Sequence, residues 1–267
     1  MYSVSGGNTF FQVALLCVAV ATAGSQGPHA APFDEATERY RGYMIADMDR
    51  ALAGSRQLRD YLNANDIAAA KEAWIKARVG WERSEVFTSA FIPELDDAID
   101  AWPDAAAGFH GIEAKLFSAN PGGFGDVLDM LVAHLTEADA QVRAMPLTPQ
   151  GLLDGVTRLS FEVGDSKVDG GESRLSGTSL DDMRNNADGI ELAYRILFAA
   201  PLEGADPQLA VQIRDGIDKL KTILKVQDLR QVDPEDLQKT SEALVVAWQA
   251  AGPKLGLATP TLEGPVK

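Results

Sequence analysis

The sequence predicts an all-α fold, and two observations support this prediction. Apolar residues recur at every third or fourth position through most of the chain, for example at Tyr40, Met44 and Met48, which is the period of an amphipathic helix. No run of residues shows a convincing apolar–polar alternation at every second position, so a substantial sheet is not expected. With about eight helices, the economical arrangement is two antiparallel four-helix bundles packed as one elongated helical domain over residues 33–267, with a seam near residues 146–149.

Proline, glycine and capping residues mark the ends of the predicted helices. Asp-Pro pairs open the last two helices, because the fixed φ of proline suits the first helical position. In chain order the expected elements are a helix over 34–63, a second from a cap at Asn65 or Asp66 to about Phe91, a short acidic helix from Pro93 to about Trp102, a helix around His110 that ends near Phe117, a turn at 120–123, helices over 124–145 and 150–168, a loop over 169–178, a helix over 179–198, a connector over 201–207, and helices over 206–227 and 233–255.

The N-terminal segment differs from the rest of the chain because its first 32 residues contain no Asp, Glu, Lys or Arg. Residues 10–21 form an apolar stretch of signal-peptide length, and Ala21-Thr22-Ala23 fits the A-x-A pattern of signal peptidase. The alternative is an uncleaved anchor, although the run is short for a bilayer span. The sequence therefore predicts export through a signal peptide over residues 1–23, with no stable membrane insertion after cleavage. Leu16 precedes the single cysteine, Cys17, where lipid attachment needs a small residue, so a lipid anchor is not expected.

The net charge of −15 falls entirely on the part of the chain that follows this segment. Such a surface repels nucleic acid and anionic lipid head groups, so nucleic acid is not expected as a partner. It also raises the local concentration of cations, although the same acidity would serve solubility alone. The charge by itself does not distinguish these two roles.

Three short segments carry side chains that can bind a metal ion. Residues three positions apart on a helix lie on one face, so two side chains with this spacing can reach one ion. Oxygen and imidazole ligands without sulfur suit iron, zinc, manganese or copper. The candidate ligands are His110 and Glu113, then Glu82 and Glu85, and then Asp96 and Asp100.

Each candidate also fits an ordinary structural role. His110 could be a hydrogen-bonded helix histidine, and the acids could form a solvated face that pairs with Arg78 and Arg83. An isolated H-x-x-E occurs often by chance. The metal interpretation depends on the three segments taken together, because each offers ligands on one face and turns between them could bring them into contact.

The segments that carry these residues are 74–85 (WIKARVGWERSE), 93–100 (PELDDAID) and 108–117 (GFHGIEAKLF), in this order. Together they resemble the imelysin-like family in its EfeO-type iron-uptake branch, in the form without a cupredoxin domain. The similarity extends to residues 40–43 and 167–176, so it covers nearly the whole chain after the N-terminal segment. The H-x-x-E motif in this context is fairly specific.

The resemblance implies a helical fold of two four-helix bundles, a periplasmic location and metal binding around the H-x-x-E helix. Iron is the metal that it implies first, with zinc or copper as alternatives, and a membrane permease and other iron-uptake components are the implied partners. The expected ligands are His110, Glu113, Glu82 and Asp96, with Glu85 and Asp100 as supporting or alternate ligands. The second half departs from the pattern at Gly171, Gly177 and Ser179, where the family has an acid, a histidine and an aspartate, so a second metal site on that loop does not carry over.

Two other functions stay open at this point. A cell-surface protein that binds an acidic, alginate-like polysaccharide would need a basic groove, for which Lys71, Lys76, Arg78 and Arg83 on one helix are the candidates, and the net charge opposes it. The family also carries a peptidase label. The sequence has no H-E-x-x-H, in which one helix presents two zinc-binding histidines and a general base, so it gives little support for a metallopeptidase.

Overall fold

The computed structural model describes residues 30–101, 106–165, 167 and 173–262, and within these ranges the protein is helical and has no strand. This confirms the predicted all-α fold class. The predicted signal peptide, Cys17 and Gly171 lie outside the described residues. None of the described helices is long and apolar enough to cross a membrane.

The helices follow the predicted boundaries closely in most of the chain. Asp66 caps the second helix, since its side chain accepts a hydrogen bond of 3.0 Å from the amide of Ala69. The elements are α1 (Ala30–Asn63), α2 (Ile67–Phe91), α3 (Pro93–Ile99), α4 (Gly108–Leu116), α5 (Gly125–Ala144), α6 (Pro149–Asp165), α7 (Ser179–Ala193), a π-helical turn (Tyr194–Phe198), α8 (Ala199–Ala205), α9 (Pro207–Ile223), a 3₁₀ turn (Leu229–Gln231) and α10 (Pro234–Lys254).

The predicted connector over residues 201–207 was wrong, because most of it is the helix α8. Two prolines suggested a break, but each stands where a helix tolerates proline. Pro201 follows the π-helical turn that joins α7 to α8, where the regular backbone hydrogen bonds are already interrupted, and Pro207 is the first residue of α9, which needs no N–H donor. Asp206 separates the two helices and caps α9 through the amide of Leu209.

Helix α2 lies at the centre of the molecule and packs against α1, α6 and α7, while α5 covers α1 and α10 covers α6 and α9. Its contacts with neighbouring helices depend on glycine. A β-carbon at Gly80 would lie 2.2 Å from the carbonyl oxygen of Asp47 on α1, and one at Gly155 on α6 would lie 2.0 Å from the carbonyl oxygen of Val86. These close approaches hold the middle of α2 in the interior. The division into two bundles with a seam near residues 146–149 stays a prediction.

Candidate metal centre

Three carboxylates from two elements converge beside the middle of α2. Glu82 and Glu85 lie one turn apart on the buried face of α2, and Asp100 follows the last residue of α3. Each offers an oxygen, and these oxygens all lie within 4.8 Å of one another. Three carboxylates this close repel each other unless cations stand among them.

Arg78 supplies the first of these cations. It lies one turn before Glu82 on α2, is 1% exposed, and its guanidinium contacts Glu82, Asp100 at 2.6 Å and Asp182 of α7 at 3.3 Å. The rings of Trp74 and Phe109 lie next to each other beside it, each 5.5 Å from the guanidinium carbon. Arg78 is therefore fixed by three carboxylates and two aromatic rings.

Lys167 supplies the second cation. Its ammonium nitrogen lies 3.1 Å from Glu82 Oε2 and 3.1 Å from Glu85 Oε2, and its side chain is 3% exposed. The side-chain amide of Asn186 on α7 donates to the same two oxygens, at 2.9 Å and 2.7 Å. Buried carboxylates need this level of pairing, because an unpaired ion in the interior is strongly disfavoured.

Helix α4 brings the imidazole of His110 to the cluster. Gly108 at the start of α4 has a φ of 61°, and a β-carbon there would lie 2.4 Å from the carbonyl oxygen of Ile99. Glycine thus lets α4 turn back against the end of α3. The indole of Trp74 donates a 3.0 Å hydrogen bond to the carbonyl of Phe109, which fixes α4 against α2.

Glu113 orients the imidazole rather than facing the carboxylates. Its Oε2 lies 2.9 Å from His110 Nδ1, and its Oε1 accepts hydrogen bonds from the amide of Leu175 at 3.0 Å and from the amide and hydroxyl of Ser176, each at 2.7 Å. Burial alone would raise the pKa of Glu113, but the hydrogen bonds from His110 and Ser176 outweigh it and hold the pKa below its usual value. An ionised carboxylate only accepts, so Nδ1 donates to it, and in the neutral form of the ring the lone pair then lies on Nε2.

This Nε2 atom is buried and has no hydrogen-bond partner among the described residues, although His110 is only 1% exposed. It lies 3.7 Å from Asp100 Oδ1, which is too long for a hydrogen bond. Two atoms bound to one ion at about 2.0–2.2 Å lie roughly 3–3.5 Å apart, so a small contraction would let both contact one ion. His110 Nε2 therefore lies beside Asp100, at the edge of the carboxylate cluster.

Asp100 and Asp96 differ in their charge state. Burial opposes ionisation of Asp100, but Arg78, His110 and Lys167 together lower its pKa. Burial raises the pKa of Asp96 well above its usual value, and the Asp100 carboxylate adds to the rise. Asp100 is thus an anion at neutral pH, whereas Asp96 retains a proton more readily and is not one of the three clustered acids.

Several residues of the cluster were missed by the sequence analysis. Asp182 accepts a hydrogen bond from Ser173 and has a pKa raised by burial to about 6. With Asn186 and Lys167, it reaches the cluster from 82 to 104 residues away along the chain. No local spacing could identify such partners. The resemblance over residues 167–176 includes Lys167 but assigns it no role, and it does not extend to Asp182 or Asn186.

The four basic residues considered for a polysaccharide groove do not share one exposed surface. Arg78 is buried in the cluster, and Arg83 pairs with Asp47 of α1 at 3.2 Å. Lys71 lies over the ring of Phe117, and Lys76 is 72% exposed beside Glu72.

Comparison with known proteins gives consistent results. The sequence model of the imelysin family matches residues 36–107 and 104–251. An Efem/EfeO family lipoprotein of Staphylococcus haemolyticus is 31% identical over 240 residues, which cover 82% of this chain and 82% of that protein. The iron uptake system component EfeO of Escherichia coli K12 is 29% identical over 195 residues, which cover 69% of this chain.

The chain spans about half the length of the Escherichia coli proteins that it matches, since the matched part is 52% of EfeO. Among solved structures, a Parabacteroides distasonis protein named as an iron-regulated protein A precursor superposes with a TM-score of 0.65 over 84% of this chain and 95% of that one. Its sequence identity is 18%, so this likeness concerns the fold alone.

Proposed function

The chain belongs to the imelysin family, and from this premise we propose that it is an exported protein that binds iron for uptake into the cell. The observation that carries the proposal is the unpartnered Nε2 of His110, which is buried and lies 3.7 Å from Asp100 Oδ1, one of the three clustered acids. A buried polar atom without a partner costs free energy, so its retention calls for an explanation. A metal ion that binds this lone pair explains it.

The proposed ligands are His110 Nε2 and carboxylate oxygens of Asp100, Glu82 and Glu85. Glu113 takes a different role from the one expected from the motif, because its oxygens are used by His110 and Ser176. It fixes the tautomer and direction of the imidazole, as carboxylates commonly do for metal-binding histidines.

Asp96 lies outside this ligand set, because it is not one of the three clustered acids and burial raises its pKa well above its usual value. Ligation requires the deprotonated form.

The donor set favours a hard ion. Three carboxylates and one imidazole, without thiolate, suit iron better than ions that prefer sulfur, while zinc remains compatible with the same donors. Asp100 is the most exposed of the four at 17%, so an ion would enter from its side of the cluster. An excess of carboxylates over local cations would favour capture of a multivalent ion from dilute solution.

The relatives support a role outside the cytoplasm. One is described as a lipoprotein and others as iron uptake system components. Together with the apolar N-terminal segment, this supports a periplasmic location, and the protein would pass its ion to a membrane permease.

Titration calorimetry of the metal-free protein with Fe(II) under anaerobic conditions tests the proposal. His110→Ala removes the nitrogen ligand, and we expect it to weaken iron binding by more than about 100-fold, since loss of a supporting partner alone typically costs 10–100-fold. His134→Ala is the matched control, because His134 is half-buried on α5, outside the cluster. Equal iron affinity in the His110→Ala variant and the wild type would overturn the proposal.

A further inference from the structure

We infer that the ammonium group of Lys167 exchanges with the metal ion, so that iron displaces it on binding and its return promotes release. The inference rests on the proposed function, because it concerns the same carboxylates. It assigns to Lys167 the role of an internal cation that competes with the cargo.

The Lys167 ammonium and a bound metal ion exclude each other, because both would contact the same carboxylate oxygens. The Lys167 nitrogen lies 3.1 Å from Glu82 Oε2 and from Glu85 Oε2, two of the three carboxylates that come within 4.8 Å of one another. A metal ion bound to these oxygens would lie about 2.0–2.2 Å from them. The ammonium would then be almost in contact with the ion, and two like charges in a buried site repel strongly.

The other buried cation of the cluster cannot take this role. Arg78 lies within α2, contacts three carboxylates and packs against the rings of Trp74 and Phe109. Its planar fork is fixed by these partners, and it stays charged at any accessible pH. Arg78 is therefore a permanent counter-charge.

Lys167 differs from Arg78 in its backbone as well as its side chain. It lies beyond the last residue of α6, Asp165, and its amide donates one 3.3 Å hydrogen bond to the carbonyl of Glu162. The side chain is a flexible four-carbon stem that carries a compact, strongly hydrated charge. An ammonium on such a stem can withdraw to water without disturbing a helix.

The exchange gives the site a way both to stay folded and to release its cargo. Without the ammonium, the buried carboxylates of Glu82 and Glu85 would lose the cation that contacts both, and only Glu82 would still contact Arg78 among the ion pairs described above. With it, the metal-free state is stabilised, and the affinity for iron falls by the free energy of displacing it. A protein that must hand its ion to a partner needs such a limit on its affinity.

Chemical labelling of the wild-type protein tests the displacement directly. Brief treatment with an N-hydroxysuccinimide acetate, followed by peptide mass spectrometry, measures how accessible each lysine is. We expect little acetylation of Lys167 in the metal-free protein and several-fold more after anaerobic loading with Fe(II), with Lys76 equally labelled in both. Protection of Lys167 in the loaded protein would overturn the inference.

Substitution tests the energetic consequence. We expect Lys167→Met to bind Fe(II) at least about tenfold more tightly than the wild type and to release it more slowly. Lys76→Met is the control, because it changes the net charge equally from an exposed site on α2, and it should bind Fe(II) as the wild type does. The metal-free Lys167→Met protein should melt at a lower temperature, and Fe(II) should raise its melting temperature by more than it raises that of the wild type.

The outcomes separate this inference from the proposed function. Unchanged or weaker binding by Lys167→Met, while His110→Ala still loses iron, would overturn the exchange and leave the metal site in place. Iron binding that is independent of both residues would overturn the proposed function itself.

Discussion

Replacing Glu113 with glutamine tests how the histidine and the acid of the H-x-x-E motif act together. In the structure Oε1 of Glu113 accepts from three donors on Leu175 and Ser176, and Oε2 accepts from His110. A glutamine has one oxygen and one NH2 group. The three donors require the oxygen, so the NH2 group must face His110 Nδ1.

The substitution therefore reverses the tautomer of His110. An NH2 group can only donate, so Nδ1 becomes the acceptor and the proton of the neutral imidazole moves to Nε2. Nε2 then has no lone pair for an ion. Loss of such an orienting partner typically weakens metal affinity about 10–100-fold, which corresponds to roughly 1.4–2.7 kcal/mol. We expect Glu113→Gln to lie in this range.

Two measurements check this result. Competition for Fe(II) against a chromophoric chelator gives the affinity, and nitrogen-15 NMR of the imidazole reports which nitrogen carries the proton. Glu137→Gln on the exposed side of α5 is the control, because it changes the net charge by the same amount outside the cluster. Wild-type affinity in Glu113→Gln, with the Nε2 proton seen by NMR, would refute the reasoning that Nε2 binds the ion.

Three further substitutions test the fold and the charges around the site. Gly80→Ala places a methyl group 2.2 Å from the Asp47 carbonyl oxygen, so α1 and α2 must separate, and urea denaturation should show a loss of about 2–3 kcal/mol; an unchanged midpoint would contradict the close approach. Arg78→Lys keeps the charge but loses the planar guanidinium that contacts Glu82, Asp100 and Asp182. We expect the free energy of unfolding to fall by about 3 kcal/mol in the same assay. A fall below roughly 0.5 kcal/mol, the range of surface substitutions, would contradict the network. The pKa of Asp182 is about 6 in the folded protein, against a usual value of 3.8, so the stability that its protonated form contributes is complete below pH 3.8 and is lost as the pH rises through 6. Asp182→Asn should therefore flatten the fall in the free energy of unfolding over this window, by on the order of 1–3 kcal/mol. An unchanged pH profile would show that another group titrates there.

The helices could be predicted from the sequence because their signals are local. The 3.6-residue period, the Asp66 cap and the Asp-Pro pairs act within one or two turns, and the structure places helices where these signals occur. The π-helical turn at Tyr194–Phe198 was not predicted, since its apolar pattern continues that of α7. The helix α8 was missed because Pro201 indicates a break, whereas the π-helical turn carries the helix past it.

The site could be predicted only in part, for the same physical reason. Residues that share a helix face, such as Glu82 and Glu85, can be recognised in the sequence because they are three positions apart. The loop around Ser176 determines which nitrogen of the imidazole faces the acids, and Lys167 contributes to the charge of the cluster. Ser176 and Lys167 both lie far along the chain from the residues that they contact. Contacts of this kind follow from the packing of α2, α4, α6 and α7, which no short pattern encodes.

Crystals of the iron-loaded protein, measured at the iron absorption edge, test the central claim most directly. We predict one strong anomalous peak about 2.0–2.3 Å from His110 Nε2 and from an oxygen of Asp100, with Glu82 or Glu85 completing the ligands and the Lys167 ammonium withdrawn. An iron peak on the acidic surface, with none at His110, would contradict the account.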